Sequence, residues 1–267
     1  MPALPDDEAL ELLHHGELEL EGRLMDASNA TLRAVITHGG TVARCVYKPV
    51  AGERPLWDFP DGTLAGREYS SWLLSEATGW GIVPPTVLRD GPLGHGMCQL
   101  WIDEDLQSDD LLLGFVPAQK VPRGWRRIMS ARDEDGRAYV LAHADDPRLA
   151  RLAVFDAIAN NADRKGGHVI DTLDGRVHGV DHGICFHTED KLRTVLWGWA
   201  GEPLPDEAVE VLEKLRAQYH SGLAESLSAH LTPAEVAMVS VRVNALLHSR
   251  RFPEPDEDRH AIPWPPI

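Results

Sequence analysis

The chain has 267 residues, 26 lysines and arginines against 42 aspartates and glutamates, and a net charge of −16. That length suits one large domain or two lobes with separate cores, and the charge disfavours nucleic acid or an anionic membrane as a partner. No apolar run approaches the roughly 20 residues of a membrane span, the acidic start MPALPDDEALELL lacks the pattern of a secretory signal, and Cys45, Cys98 and Cys185 are too scattered for a disulfide framework. A soluble, cytoplasmic protein without integral membrane contact is expected.

In chain order, Asp7 to His14 reads as a short amphipathic helix closed by Gly16. Glu17 to Met25 and Leu32 to Ile36 alternate as strands around the polar turn Ser28-Asn29-Ala30-Thr31, and Val42 to Lys48 follows Gly39-Gly40 as a third strand. On that strand Arg44, Val46 and Lys48 share one face. Only five residues of the chain are lysines, which gives weight to Lys48 at a strand end and Lys165 in a polar loop. Gly52 to Gly62 is too rich in turn formers for regular structure, and its Trp57 and Phe59 make it either a loop pinned to the core or a lid.

Thr63 N-caps a helix to about Ala77, with Tyr69, Trp72 and Leu73 as its buried stripe and Glu68 beside it. Prolines hold Ile82 to Leu88 extended, and Gly96 to Ile102 reads as a buried strand ending at the charge run Asp103-Glu104-Asp105, where a lobe boundary is placed. Gly124 to Arg132 and Arg137 to His143 form a hairpin. Arg123, Arg126, Arg127 and Arg132 make a basic cluster, either a solvated face or a site for an anionic partner.

Asp146-Pro147 opens a helix whose apolar residues spread around it, the mark of a domain's spine, and which delivers Asn160, Asn161 and Asp163 at its end. Strands at His168 to Ile170 and Arg176 to Val180 lead to Asp181-His182-Gly183. Two carboxylates, Asp163 and Asp181, thus stand at the polar ends of apolar elements, which suits a divalent metal and a phosphorylated ligand. Asp206 to Tyr219 and Thr232 to His248 are amphipathic helices, the second opening with a capping box, and the proline-rich tail from Arg251 is expected to be extended and anchored by Trp264.

The ordered set Val46-Tyr47-Lys48-Pro49, Glu68, Gly81-Ile82-Val83-Pro84-Pro85-Thr86, Gln99-Leu100-Trp101-Ile102, Asn161-Ala162-Asp163-Arg164 and Val180-Asp181-His182-Gly183 resembles the type II phosphatidylinositol 4-kinases. More broadly it is similar to the atypical kinase superfamily that includes the phosphatidylinositol 3-kinases and the HipA-type kinases. The resemblance runs from about Gly16 to Leu204. It implies an α+β, bilobal protein-kinase-like fold, with an antiparallel-sheet N-lobe over residues 1–103, a mainly helical C-lobe over 104–250 and a tail over 251–267.

The resemblance also implies roles. Lys48 would hold the ATP phosphates and pair with Glu68, Val46 and Ile102 would line the adenine pocket, and Gln99 and Trp101 would offer backbone groups to adenine. Ser28, Asn29 and Thr31 would stand in the phosphate-covering turn. Asp163 would receive the proton of the attacking hydroxyl or orient it, Lys165 would face the γ-phosphate, and Asp181 would bind Mg²⁺ or Mn²⁺. The acceptor would be a hydroxyl of a soluble small molecule or protein.

Two positions depart from the pattern. His168 stands where relatives carry the second metal-binding Asn, and imidazole suits Mn²⁺ or softer ions better than Mg²⁺. The Ser28 to Thr31 turn also lacks glycine. An ATP-binding pseudokinase is therefore the alternative to an active enzyme. A reading independent of the resemblance is a metal-dependent hydrolase built on Asp163, His168, His178, Asp181 and His182, whose spacing matches no ligand signature.

Overall fold

The computed structural model describes residues 4–24, 29–104, 111–256 and 258–267. The first helix, α1 (Asp6–His15), lies against a five-stranded antiparallel sheet ordered β1-β2-β3-β5-β4. Its strands are β1 (Glu17–Arg23), β2 (Leu32–His38), β3 (Thr41–Pro49), β4 (Thr86–Gly91) and β5 (Gly94–Leu100), with helix α2 (Leu64–Thr78) inserted between β3 and β4.

Alternation along β3 decides what each face of the sheet does. Ala43, Cys45 and Tyr47 are buried, and the first two join Leu12, Leu13, Ile36, Val87 and Cys98 in one apolar core under α1. Arg44, Val46 and Lys48 point the other way, as period-two geometry requires. Cys45, Cys98 and Cys185 are all unpaired and buried.

A second core surrounds α3 (Pro147–Ala159), on which every position from Leu149 to Ala159 except Arg151 is buried, so this helix is the expected spine. Asp146 caps it by accepting from Arg148 N. Around it pack α4 (Asp206–Gln218), α5 (Ala224–Ser228) and α6 (Pro233–Ser249), the last opening with the expected Thr232/Glu235 capping box. No helix among the described residues is long and apolar enough to cross a membrane.

Several expectations change. The hairpin of β7 (Trp125–Arg132) and β8 (Ala138–Ala144) gains a third strand, β6 (Leu113–Pro117), on the free edge of β8. In α2 Tyr69, Trp72 and Leu73 are not the buried stripe; Leu74 is buried with small residues and with Arg67, Glu68, Ser71 and Ser75, each of which bonds to a partner inside. The large aromatics, Tyr69 stacked on Trp72, stay half-buried at the side. In the tail Trp264 is 82% exposed, and Phe252, 5% exposed and stacked on Trp199, is the anchor instead. The basic cluster is a partnered surface: Arg126 binds Asp145 and Glu202, and Arg132 donates to Gly136 O.

Candidate functional site

Strand β3, helix α2 and the segment after β10 (Val177–Gly179) meet at Lys48. Its Nζ lies 2.5 Å from Glu68 Oε1 and 2.8 Å from Asp181 Oδ1. The second oxygen of Glu68 accepts the backbone N–H of His182 at 2.9 Å, so one buried carboxylate fastens both the lysine and the residue after Asp181. Asp181 reaches its position through a left-handed backbone, φ 60°, which a short polar side chain tolerates and which is enriched at functional turns.

The charges adapt to this crowding. Burial opposes the Lys48 ammonium, but Asp181 and Glu68 outweigh it and hold its pKa above the ordinary lysine range. Lys48 in turn holds the half-exposed Asp181 carboxyl below the usual range, against burial. Burial lifts Glu68, with Lys48 offsetting part of the rise. Lys48 thus bridges both carboxylates.

Asp163 leaves α3 through a turn in which its N–H donates to Asn161 Oδ1 and Asn160 adopts φ 53°. Lys165 Nζ stands 3.0 Å from Asp163 Oδ2. Burial raises the Asp163 carboxyl, and Lys165 only partly reverses it. His168 falls in a 3₁₀ turn (Gly166–His168) just before β9 (Val169–Asp171), not on the strand, and its Nε2 lies 3.5 Å from Asp181 Oδ2.

Burial pushes His168 down to about 4, so its ring is neutral near pH 7 and Nε2 can serve as a ligand. A neutral imidazole and a carboxylate at that separation fit a shared divalent cation, with remaining positions left to ligand oxygens. Its Nδ1 is buried without a protein partner.

The residue that organises this loop, Arg164, carries no individual expectation from the sequence. It is fully buried. It contacts both oxygens of Asp156, and donates to His168 O at 3.1 Å, to Val180 O at 2.8 Å and to His182 Nε2 at 2.6 Å. Gly179 permits this approach, since a Cβ there would lie 2.9 Å from Arg164 Nη2. The only signals in the sequence are an arginine immediately after Asp163 and an aspartate inside an apolar helix.

The other expected residues are placed as follows. Ser28 lies outside the described residues. Asn29 accepts Arg54 N through its side chain, and Thr31 is 7% exposed with its carbonyl accepting from Leu24 N, so both are bonded to adjoining segments of the N-terminal region. Val46 faces the Lys48 side of the sheet, opposite Gln99. Gln99 does not present its backbone to a cleft: it lies in an interior strand, paired with Val46 and Thr86, and its amide donates to Thr86 Oγ1. Trp101 N–H is likewise used, donating to Arg44 O. The strand ends at Leu100, two residues earlier than expected, and Trp101 stays bonded to β3 beyond it. Ile102 lies beyond it, on a cavity of about 320 Å³ shared with Leu100, Pro85 and Leu173.

The five His and Asp residues of the hydrolase reading do not converge. His178 contacts Ile82 O, and His182 is committed to Arg164. Among the described residues no three His, Cys, Asp or Glu side chains gather in a form able to hold a metal.

The Trp57 loop, residues 52–62, is pinned on both sides of an exposed tip, Glu53 accepting from Leu64 N and Ala65 N on the first side. Phe59 is buried edge-on against His187 and under Arg67, and Asp58 pairs with Lys191 at 3.1 Å, whereas Trp57 is 91% exposed.

Several solved structures share this architecture. The Golgi casein kinase aligns with TM-score 0.51 and 13% identity over 94% of this chain and 79% of that one. The same kinase with Mn/ADP bound gives 0.53 and 13% over 98% and 80%. Hydra Fam20 with sugar gives 0.57 and 14% over 91% and 87%. At such identities the likeness is one of fold, and the fold is kinase-like. No family model matches the sequence. Protein Rv2133c of Mycobacterium tuberculosis (strain ATCC 25618 / H37Rv) is 49% identical over 269 residues, covering 98% of this chain and 96% of that protein. The chain therefore belongs to the family of protein Rv2133c.

Proposed function

We propose that the protein is an atypical kinase that transfers the γ-phosphoryl group of ATP to a hydroxyl. The observation that carries this reading is the junction in which Lys48 meets Glu68 at 2.5 Å and Asp181 at 2.8 Å inside a kinase-like fold. The ordered motifs similar to the type II phosphatidylinositol 4-kinases and the HipA-type kinases support it, as does a fold neighbour solved with Mn/ADP. Residues 1–103 would hold the nucleotide, 104–250 the acceptor, and 251–267 would close over the latter. Unpaired buried cysteines suit a reducing, cytoplasmic setting.

In the reaction the acceptor oxygen bonds to the γ-phosphorus while the bond to the β,γ-bridging oxygen breaks, and ADP leaves. Asp163 orients the hydroxyl and takes its proton; a carboxyl raised by burial is better suited to that than an ordinary one. Lys165 neutralises charge on the transferred group, and Lys48 holds the non-transferred phosphates. His168 and Asp181 are the residues that would hold Mg²⁺ or Mn²⁺, which supplies charge neutralisation at the phosphates.

The test is thermal. ATP with either metal should raise the melting temperature, and Asp181→Asn should remove the metal-dependent part. Absence of any nucleotide-dependent shift in the wild type defeats the proposal. Asp163→Asn should keep the shift but abolish ATP consumption. A wild type that binds ATP without consuming it, whatever the acceptor, is the pseudokinase.

A further inference from the structure

Residues 261–267 run back to the loop that carries Asp163. Ala261 O accepts from Thr194 N at 3.1 Å and from Trp197 Nε1 at 2.8 Å, and Pro266 O accepts from Gly166 N at 2.8 Å. Along this stretch Pro263 and Pro266 are buried while Trp264 and Pro265 stay exposed. Gly166 fits against the tail because it has no side chain: a Cβ there would lie 3.1 Å from Ile267 Cγ1 and 2.6 Å from Leu113 Cδ2 of β6. Three prolines restrict the backbone of residues 261–267, so holding that segment in place costs less conformational entropy than an ordinary tail would.

The loop is held from both directions. On the upstream side Arg164 N donates to Arg193 O at 3.0 Å and Val195 N donates to Arg164 O at 3.1 Å, and Thr194, between them, is the residue bonded to Ala261. Asp163 and Lys165 flank the buried Arg164 and keep their side chains partly exposed. Downstream, Gly166 N is held by Pro266 O before the 3₁₀ turn carries the chain to His168, whose Nε2 lies 3.5 Å from Asp181 Oδ2. The tail therefore grips the backbone between Lys165 and His168.

We infer that residues 261–267 are a positioning strap for this loop, setting where Asp163, Lys165 and His168 stand relative to Lys48 and Asp181. The inference rests on the kinase reading above and adds a part of the chain that the sequence resemblance, which ends near Leu204, does not reach. Misplacing a group by about 1 Å can cost about 100-fold in rate, so the bond from Gly166 to Pro266 matters more to turnover than to folding.

Deletion of residues 264–267 removes Pro266 O and the Ile267 side chain and leaves the Ala261 bonds and the Phe252 anchor in place. Hydrogen exchange read by mass spectrometry should show protection over residues 163–168 falling by about tenfold or more while that of α3 is unchanged. For ATP hydrolysis with Mn²⁺, water serving as acceptor, kcat should fall by about 10- to 100-fold while KM for ATP and the nucleotide-dependent melting shift stay as in wild type. Gly166→Ala, which pushes Ile267 away without removing the tail, should move both readouts in the same direction, and Trp264→Ala, at an 82% exposed position, should move neither. Unchanged exchange over 163–168, a loss of protection shared equally by α3, or a kcat that does not fall when the loop is freed overturns the inference. A wild type that consumes no ATP is instead a failure of the kinase reading, and exchange over 163–168 still decides whether the tail holds the loop.

Discussion

Replacing Arg164 by methionine removes the guanidinium from a site where nothing reaches solvent. Asp156 would keep one side-chain donor, Asn161 Nδ2 at 3.1 Å, beside a buried and now uncompensated negative charge. The carbonyls of His168 and Val180 would lose their Arg164 bonds at the same time. Removing one partner of a buried ion pair costs about 3–5 kcal/mol, a large share of the roughly 5–15 kcal/mol that holds a domain folded. Urea unfolding followed by tryptophan fluorescence should show a loss of stability of that size. Arg164→Met combined with Asp156→Asn removes both charges and should recover about 2 kcal/mol or more of the loss, a coupling expected of contacting residues. A single variant within about 1 kcal/mol of wild type, or a double variant equal to the sum of its parts, would refute the reasoning.

Other outcomes follow from the same packing. His143 is fully buried, its Nδ1–H donating to Ala144 O and its Nε2 accepting from Gly198 N, so a second proton has no acceptor. Burial lowers it from 6.5 to about 4. The unfolded chain therefore binds that proton first, and stability present above pH 6.5 is lost as pH falls towards 4, by about 3 kcal/mol at most. Denaturation in that window should show a shallower pH slope for His143→Gln than for wild type. Thr63→Ala deletes the acceptor for Gly66 N at the start of α2 and should cost about 1 kcal/mol in urea unfolding. Phe252→Ala should cost about 3–5 kcal/mol while Trp264→Ala leaves the midpoint unchanged, a comparison that identifies the tail anchor.

Residues whose chemistry is marked by their immediate neighbours are legible in the sequence. Lys48 closes an alternating strand, Asp163 follows a helix end, and Asp181 follows a short strand, so local pattern alone assigns each to a polar terminus. Glu68 is legible as a member of the ordered set, and its contact with Lys48 is direct. Arg164 and Arg67 are not, because a buried cation is read as surface unless its partner is known, and the partners lie eight and more than a hundred positions away. The same blindness produces the wrong stripe on α2: hydrophobic pattern favours Tyr69 and Trp72, whereas small and partnered polar residues such as Glu68, Ser71 and Ser75 take the interior. Strand β6 has five residues and borrows its stability from the edge of β8, which no local pattern announces.

Helix α2 is tied to the helical body as well as to the sheet. Arg67 pairs with Glu235 on α6 at 2.6 Å and donates to Cys185 O at 2.9 Å, and Tyr69 meets His230 edge to face. Any opening that keeps those bonds leaves α2 travelling with the helices while the five-stranded sheet swings past it. Such a swing would have to break both contacts of Lys48, with Glu68 and with Asp181.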